Sequence, residues 1–264
     1  SIKIEFHLTN AGEFRPLGEI NMKFGGKIKV NKKRSVLISI AFLVVCAAVI
    51  LSFNAVDNSL SEEDRQYIPM YLSDVAPLPE NPTYKDQLSF IILVQRSVLN
   101  IAPRNDGLPF AQKREPKELY AAKTGLCFDR SRVIEKILRY SGFETRHVSI
   151  YSREKSDFSI KSLITPGVSS HAVTEVLTKS GWLIVDSNAP WVSTDTNNQP
   201  LSIDTIQSHI ENSAHIKWGK EPPSIIYVKP FTFVFGLYSR HGKFYPPYNF
   251  IPDINYGEFV QNVL

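Results

Sequence analysis

From Ser35 to Phe53 the chain runs nineteen residues without a charge, long enough to cross the hydrocarbon core of a bilayer as a helix. Residues 54–82 are polar and carry Pro69, Pro77, Pro79 and Pro82, which predicts a stalk or linker. Tyr84 to Ala102 then shows a helical pattern in Leu88, Ile91, Ile92, Val94, Gln95, Val98 and Leu99. A second helical stripe, Phe128, Val133, Ile134, Ile137 and Leu138, is interleaved with Asp129, Arg130, Arg132, Glu135, Lys136 and Arg139 and stops at Gly142.

Beyond Gly142 the period changes to two. Thr145 to Tyr151, His171 to Leu177 and Gly181 to Val185 read as strands, with Lys179-Ser180-Gly181 as a hairpin turn between the last two. From Ile225 the chain is rich in aromatics. Alternation in Phe231 to Tyr238 and a turn at His241-Gly242 predict a hairpin that completes the sheet. Tyr245-Pro246-Pro247-Tyr248 and Pro252-Asp253 do not suit strand interiors. Covering the core is the commoner use of such a segment, and binding a glycan or peptide is the other. These helices and strands are read as one domain over residues 83–264.

Charge gives the apolar run a direction. Lys23, Lys27, Lys29, Lys32, Lys33 and Arg34 precede it with no acid among them, and Asp57, Glu62, Glu63 and Asp64 follow. The positive-inside bias predicts a cytoplasmic basic segment over residues 1–34, a transmembrane helix over 35–53, and a domain outside. A cleaved signal peptide is the competing reading, but the run exceeds a usual signal core and no small-x-small cleavage site follows it. Cys46, preceded by Val45 and followed by more apolar residues, reads as a small lipid-facing residue rather than a lipidation site. Residues 1–21 precede the more natural start at Met22 and read as an extension without assigned function.

This topology isolates Cys127. One cysteine lies in the membrane and the other outside, so they cannot pair, and a lone thiol in an oxidising compartment is a liability unless it is used. A thiol reacts as its thiolate, scarce at neutral pH from a reference pKa of about 8.5 unless a helix N-terminus or an imidazolium stabilises it. Cys127 opens its predicted helix, where unpaired N–H groups favour an anion and could serve as oxyanion donors. Gly125 before it suits a tight turn or a close approach by another chain. The bland alternative is a small buried core residue.

If His171 begins one strand and Asp186 ends its hairpin partner, the two lie side by side at one end of the sheet. That arrangement suits a base and the carboxylate that orients it. Gly125-Leu126-Cys127-Phe128-Asp129, Leu138 to Arg146, His171-Ala172-Val173-Thr174-Glu175-Val176 and Trp182-Leu183-Ile184-Val185-Asp186 together resemble the bacterial transglutaminase-like superfamily. The resemblance covers roughly residues 115 to 192, in four blocks of matching order and spacing.

It implies a papain-like α+β core, with Cys127 as nucleophile, His171 as general base and Asp186 as the residue that orients it. The chain departs from the family at Val173, where an aromatic is usual, and at Ser187-Asn188, where Pro-Thr is usual; both sit beside the triad and bear on substrate range. Tyr120 is the upstream candidate for an oxyanion donor. Arg146 matches a recurring arginine, but at the start of a strand it reads as a structural ion-pair partner. The loop Pro103 to Pro109 is a candidate border of the cleft.

The chain has 264 residues, 43% hydrophobic and 21% charged, as expected for one sizeable domain with an appendage. His147, His209, His215 and His241 are scattered, and there is no HExxH, CxxC, Asp-rich calcium loop or phosphate-binding glycine loop. The expectation is therefore a thiol mechanism without metal or other cofactor. The net charge of +4 sits mostly in the juxtamembrane run and suits anionic lipid, not nucleic acid. The resulting expectation is a single-pass protein of the bacterial cytoplasmic membrane that cleaves or transfers amide acyl groups of a protein or peptide substrate outside the cytoplasm. A non-catalytic module of the same fold, serving envelope or exopolysaccharide assembly, is the alternative.

Overall fold

The computed structural model describes residues 32–154 and 159–263; the predicted cytoplasmic segment before residue 32, with its extension 1–21, lies outside the described residues. The chain divides into two units at Ala47/Ala48, inside the first helix, α1 (Lys32–Phe53). Within α1, Ser35–Phe53 is long and apolar enough to cross a membrane, with a mean hydropathy of 3.0.

In the second unit, residues 54–82 are not the spacer that their prolines suggest. They contain α2 (Glu62–Tyr71), which starts at Ser61 with a reciprocal cap: the Ser61 hydroxyl accepts the Asp64 N–H and the Asp64 carboxylate accepts the Ser61 N–H. Ile68 and Tyr71 are buried in the main core, and Asp64 is buried against Lys136 at 2.6 Å. Apolar burial and an ion pair that spans 72 positions outweigh the local preference of a proline-containing stretch to remain extended.

The predicted helix at Tyr84 is present as α3 (Tyr84–Ile101), capped by Thr83 and Asp86. After α4 (Pro116–Ala122) comes α5 (Cys127–Tyr140), which ends as its sequence requires: Gly142 has φ +87°, and the Phe143 N–H donates to the Leu138 carbonyl at 3.0 Å. An amphipathic helix ordinarily leaves its polar face in water. Here that face is buried too. Arg132 pairs with Glu115 at 3.1 Å, and Lys136 bridges Asp64 and Glu115 at 2.6 and 3.0 Å. Such charges are tolerated in the interior because each has a counter-charge and hydrogen bonds.

Next come β1 (Thr145–Ser152), a helical turn α6 (Ser159–Ser162), β2 (Ser170–Thr178) and β3 (Gly181–Val185). After α7 (Ile203–Glu211), β4 (Phe231–Phe235) closes a four-stranded antiparallel sheet in the order β3-β2-β1-β4. Thr178 pairs with Gly181, so the predicted turn is the two-residue link Lys179-Ser180.

The alternation beyond Phe231 is not one hairpin. Gly236, at φ +73°, breaks the strand, and a Cβ there would come within 2.7 Å of Asn255 O and Phe259 N. The next pair, β5 (Leu237–Tyr238), therefore joins β6 (Asp253–Ile254) in a separate two-stranded sheet, before the short α8 (Tyr256–Phe259).

Side chains of β2 alternate between two cores. Val176 points into the cluster of α3 and α5 with Ile134 and Ile137, while Val173 points into a second with Ile203, Tyr227 and Phe231. The sheet is thus covered on both faces, and one end of β2 and β3 meets the N-terminus of α5.

Candidate active site

Cys127 is placed by the backbone that leads into α5. The Leu126 carbonyl accepts the Asp129 and Arg130 N–H groups at 3.1 Å each, and the Asp129 carboxylate accepts the Leu126 N–H at 2.9 Å and the Leu108 N–H at 3.2 Å. Arg114 pairs with Asp129 from the other side. α4 comes close to Gly125, where a Cβ would lie 2.6 Å from Leu119 Cδ1 and displace that side chain. The half-buried Cys127 side chain packs against a buried cluster that includes Phe128, Ala172 and Phe244.

His171 is the second residue of β2, and Asp186 is the first residue after β3. With Thr174 opposite Val185, the antiparallel register brings both to the same end of the sheet. His171 Nε2 lies 2.8 Å from Asp186 Oδ2. The Cys127 thiol lies close enough to the same imidazole to interact with it. Because Asp186 occupies Nε2, Nδ1 is the ring nitrogen left for the thiol.

Burial alone would push the His171 pKa down. The charge and hydrogen bond of Asp186, then the hydrogen bond and charge of Cys127, outweigh it and push His171 up to about 10. Burial would likewise raise Asp186, but His171, the Tyr227 hydroxyl and the Asn188 N–H hold its carboxyl below the usual carboxylate range. Oδ1 of Asp186 accepts the N–H groups of Asn188 and Ala189, each at 2.7 Å, and Oδ2 also accepts the Tyr227 hydroxyl at 2.6 Å. A cavity of about 420 Å³ borders this pair, lined among others by Ser152, Ser170, Asn188 and Ser224.

Cys127, His171 and Asp186 are thus brought together, as their spacing suggests. Tyr120 is not brought to them: its ring packs against Tyr71 and Tyr67 at 5.6 and 6.2 Å, with Lys123 Nζ 3.4 Å from its centre. Arg146 pairs with Glu175 at 2.7 Å and lies over the rings of Phe235 and Trp182, a structural role. The loop from Pro103 is tied to the site by Arg130, whose buried guanidinium donates to the carbonyls of Ala102 and Arg104 and to the side chains of Asn105 and Asn188.

Residues 85–187 match the family model of the transglutaminase-like superfamily. The chain carries a transglutaminase-like domain. No curated protein and no solved structure matches it.

Around this site three supporting side chains escape sequence reasoning. Gln95, fully buried on α3, donates to the carbonyls of Asp186, Ala189 and Trp191 at 2.7, 3.1 and 2.6 Å. A polar residue inside the apolar stripe of its helix was the available signal. Arg130 stands three positions after Cys127, nearly one helical turn on, and that spacing was its signal. Tyr227 comes from a short 3-10 turn, Ile225–Tyr227, and nothing in the sequence distinguishes it from its aromatic neighbours. Among the described residues no group of three or more His, Cys, Asp or Glu side chains is placed to hold a metal ion.

Proposed function

We propose that this protein is a membrane-anchored thiol enzyme that cleaves or transfers amide acyl groups outside the cytoplasm. The observation that carries the reading is His171 bound to the Asp186 carboxylate at 2.8 Å, with the Cys127 thiol near enough to interact with the same imidazole. An imidazole so placed takes the thiol proton and stands as an imidazolium beside the thiolate.

The thiolate attacks the carbonyl carbon of a peptide or isopeptide bond. The developing oxyanion lies near the start of α5, whose first N–H groups have no acceptor within the helix. His171 returns its proton to the departing amine, leaving a thioester on Cys127. Water, always available outside the cell, then attacks the thioester with His171 as base; an amine acceptor would give transfer instead. Asp186 holds the ring orientation and balances the imidazolium charge through both half-reactions. The apolar segment Ser35–Phe53 and the basic residues before it support anchoring with the domain outside.

The test is the pH dependence of Cys127 alkylation by iodoacetamide in the detergent-solubilised full chain, with Cys46→Ala as background, compared with the same chain carrying His171→Ala. Rapid labelling well below about pH 8 that the His171 substitution abolishes is the expected result. Slow labelling, equal in both, would remove the nucleophile and leave a non-catalytic binding module of the same fold.

A further inference from the structure

The last turn of α1, which belongs to the second unit, is bonded into the rest of that unit. The last four carbonyls of a helix have no acceptor role within it and need outside donors. At the end of α1 they find them. Ile50 O accepts the Asn54 N–H and side-chain amide at 3.1 and 2.9 Å, and Ser52 O accepts the Ala55 N–H at 3.3 Å. Leu51 O and Phe53 O are taken by the C-terminal part of the domain, through the Tyr256 hydroxyl at 3.0 Å and Arg240 Nη2 at 2.9 Å.

The Phe53 ring stacks on His241 at 4.1 Å. Immediately beyond, the Val56 N–H donates to Ile254 O, and Asn54 O accepts the Ile254 N–H. The helix end is therefore continuous with the segment from Arg240 to Tyr256. A flexible stalk would leave these carbonyls to water.

That segment presents apolar surface beside the junction. Phe250 is 66% exposed, Ile251 49% and Tyr256 44%. Phe250 packs against Gly242, next to the His241 that stacks on Phe53, and Tyr256 is bonded to Leu51 itself. If Ser35–Phe53 spans the bilayer, the end of α1 emerges at the interface, where aromatic side chains are favoured and Arg240 can reach lipid phosphate.

We infer that the domain sits directly on the bilayer, with Phe250, Ile251 and Tyr256 seated in its interfacial layer. The partner is the lipid surface, and the inference rests on the membrane-anchor reading proposed above.

The experiment uses the full chain reconstituted in phosphatidylcholine vesicles with and without brominated acyl chains, comparing Phe250→Trp with the parent protein. The three native tryptophans supply the baseline. The expected result is a blue-shifted additional emission that brominated lipid quenches roughly twofold or more beyond the parent. Ile251→Trp repeats the measurement should the first variant fold poorly. Protein that stays in the vesicles through alkaline extraction, with the added tryptophan unquenched and emitting as in water, overturns the inference while leaving the anchor intact. Protein that is extracted overturns the anchor, and the seating with it.

Discussion

Tyr227 and His171 converge on a single oxygen of Asp186, the phenol at 2.6 Å and Nε2 at 2.8 Å. The carboxylate is buried, and it divides its charge between a neutral donor and an imidazole. Burial, then the Asp186 charge and hydrogen bond, push the Tyr227 pKa well above its usual value, so the phenol keeps its proton and remains a donor.

Tyr227→Phe removes that donor without changing the ring that packs on Trp191 at 4.8 Å. The variant is expected to lose about 1 to 3 kcal/mol, the usual penalty for depriving a buried charged acceptor of one partner. Urea denaturation reads this loss. With less competition for Asp186, the His171 pKa moves further up, which an NMR titration of the imidazole would show; no movement would mean that the phenol only packs.

Asp186→Asn leaves the shape and removes the charge that holds His171 protonated. Iodoacetamide labelling of Cys127 at neutral pH is expected to fall on the order of a hundredfold or more. Unchanged labelling would place the activation of the thiol elsewhere.

Stability should depend on pH through the same pair. The folded-state pKa of His171 is raised, from 6.5 to about 10, so its contribution is full below pH 6.5 and is lost as pH rises toward 10. Asp186 is lowered, so its contribution is present above the ordinary carboxylate range and is lost on acidification through its folded value. His171→Gln should therefore flatten the decline in melting temperature between pH 6.5 and 10. A decline of the same slope in both proteins would contradict the pairing.

Arg130→Lys keeps a charge but cannot reach Ala102, Arg104, Asn105 and Asn188 together, because an ammonium lacks the planar fork. A loss of roughly 2 kcal/mol or more is expected from the carbonyls left without donors, together with slower labelling of Cys127. Full stability with lysine would show that water replaces the guanidinium.

Gln95→Leu strips the amide from three carbonyls of the turn that carries Asp186. A stability cost of about 1 to 3 kcal/mol is expected, with faster hydrogen exchange in residues 186–191. Should exchange there stay as slow as in the parent, the turn is held by its own backbone and not by α3.

Much of this was legible in one dimension because it is governed by local rules. Apolar spacing set α3 and α5, the αL preference of glycine ended α5 at Gly142, and period-two alternation gave β1, β2 and β3. An uncharged run of nineteen residues marked the candidate span. The approach of Cys127, His171 and Asp186 was also readable, since a hairpin of known register brings two strand ends together and a helix start is a local feature.

The tertiary structure alone decided the rest, because it depends on partners far apart in sequence. Residues 54–82 looked like a stalk until Asp64 found Lys136 and Ile68 found the core. The alternation after Phe231 could not reveal that Asn255 and Phe259 crowd Gly236 and split the strand. Tyr227 reaches Asp186 across 41 positions and Gln95 across 91, from segments whose own patterns say only that they are buried. Periodicity encodes which face of an element turns inward; it carries nothing about which buried polar group will meet which, and that is settled only when the layers pack.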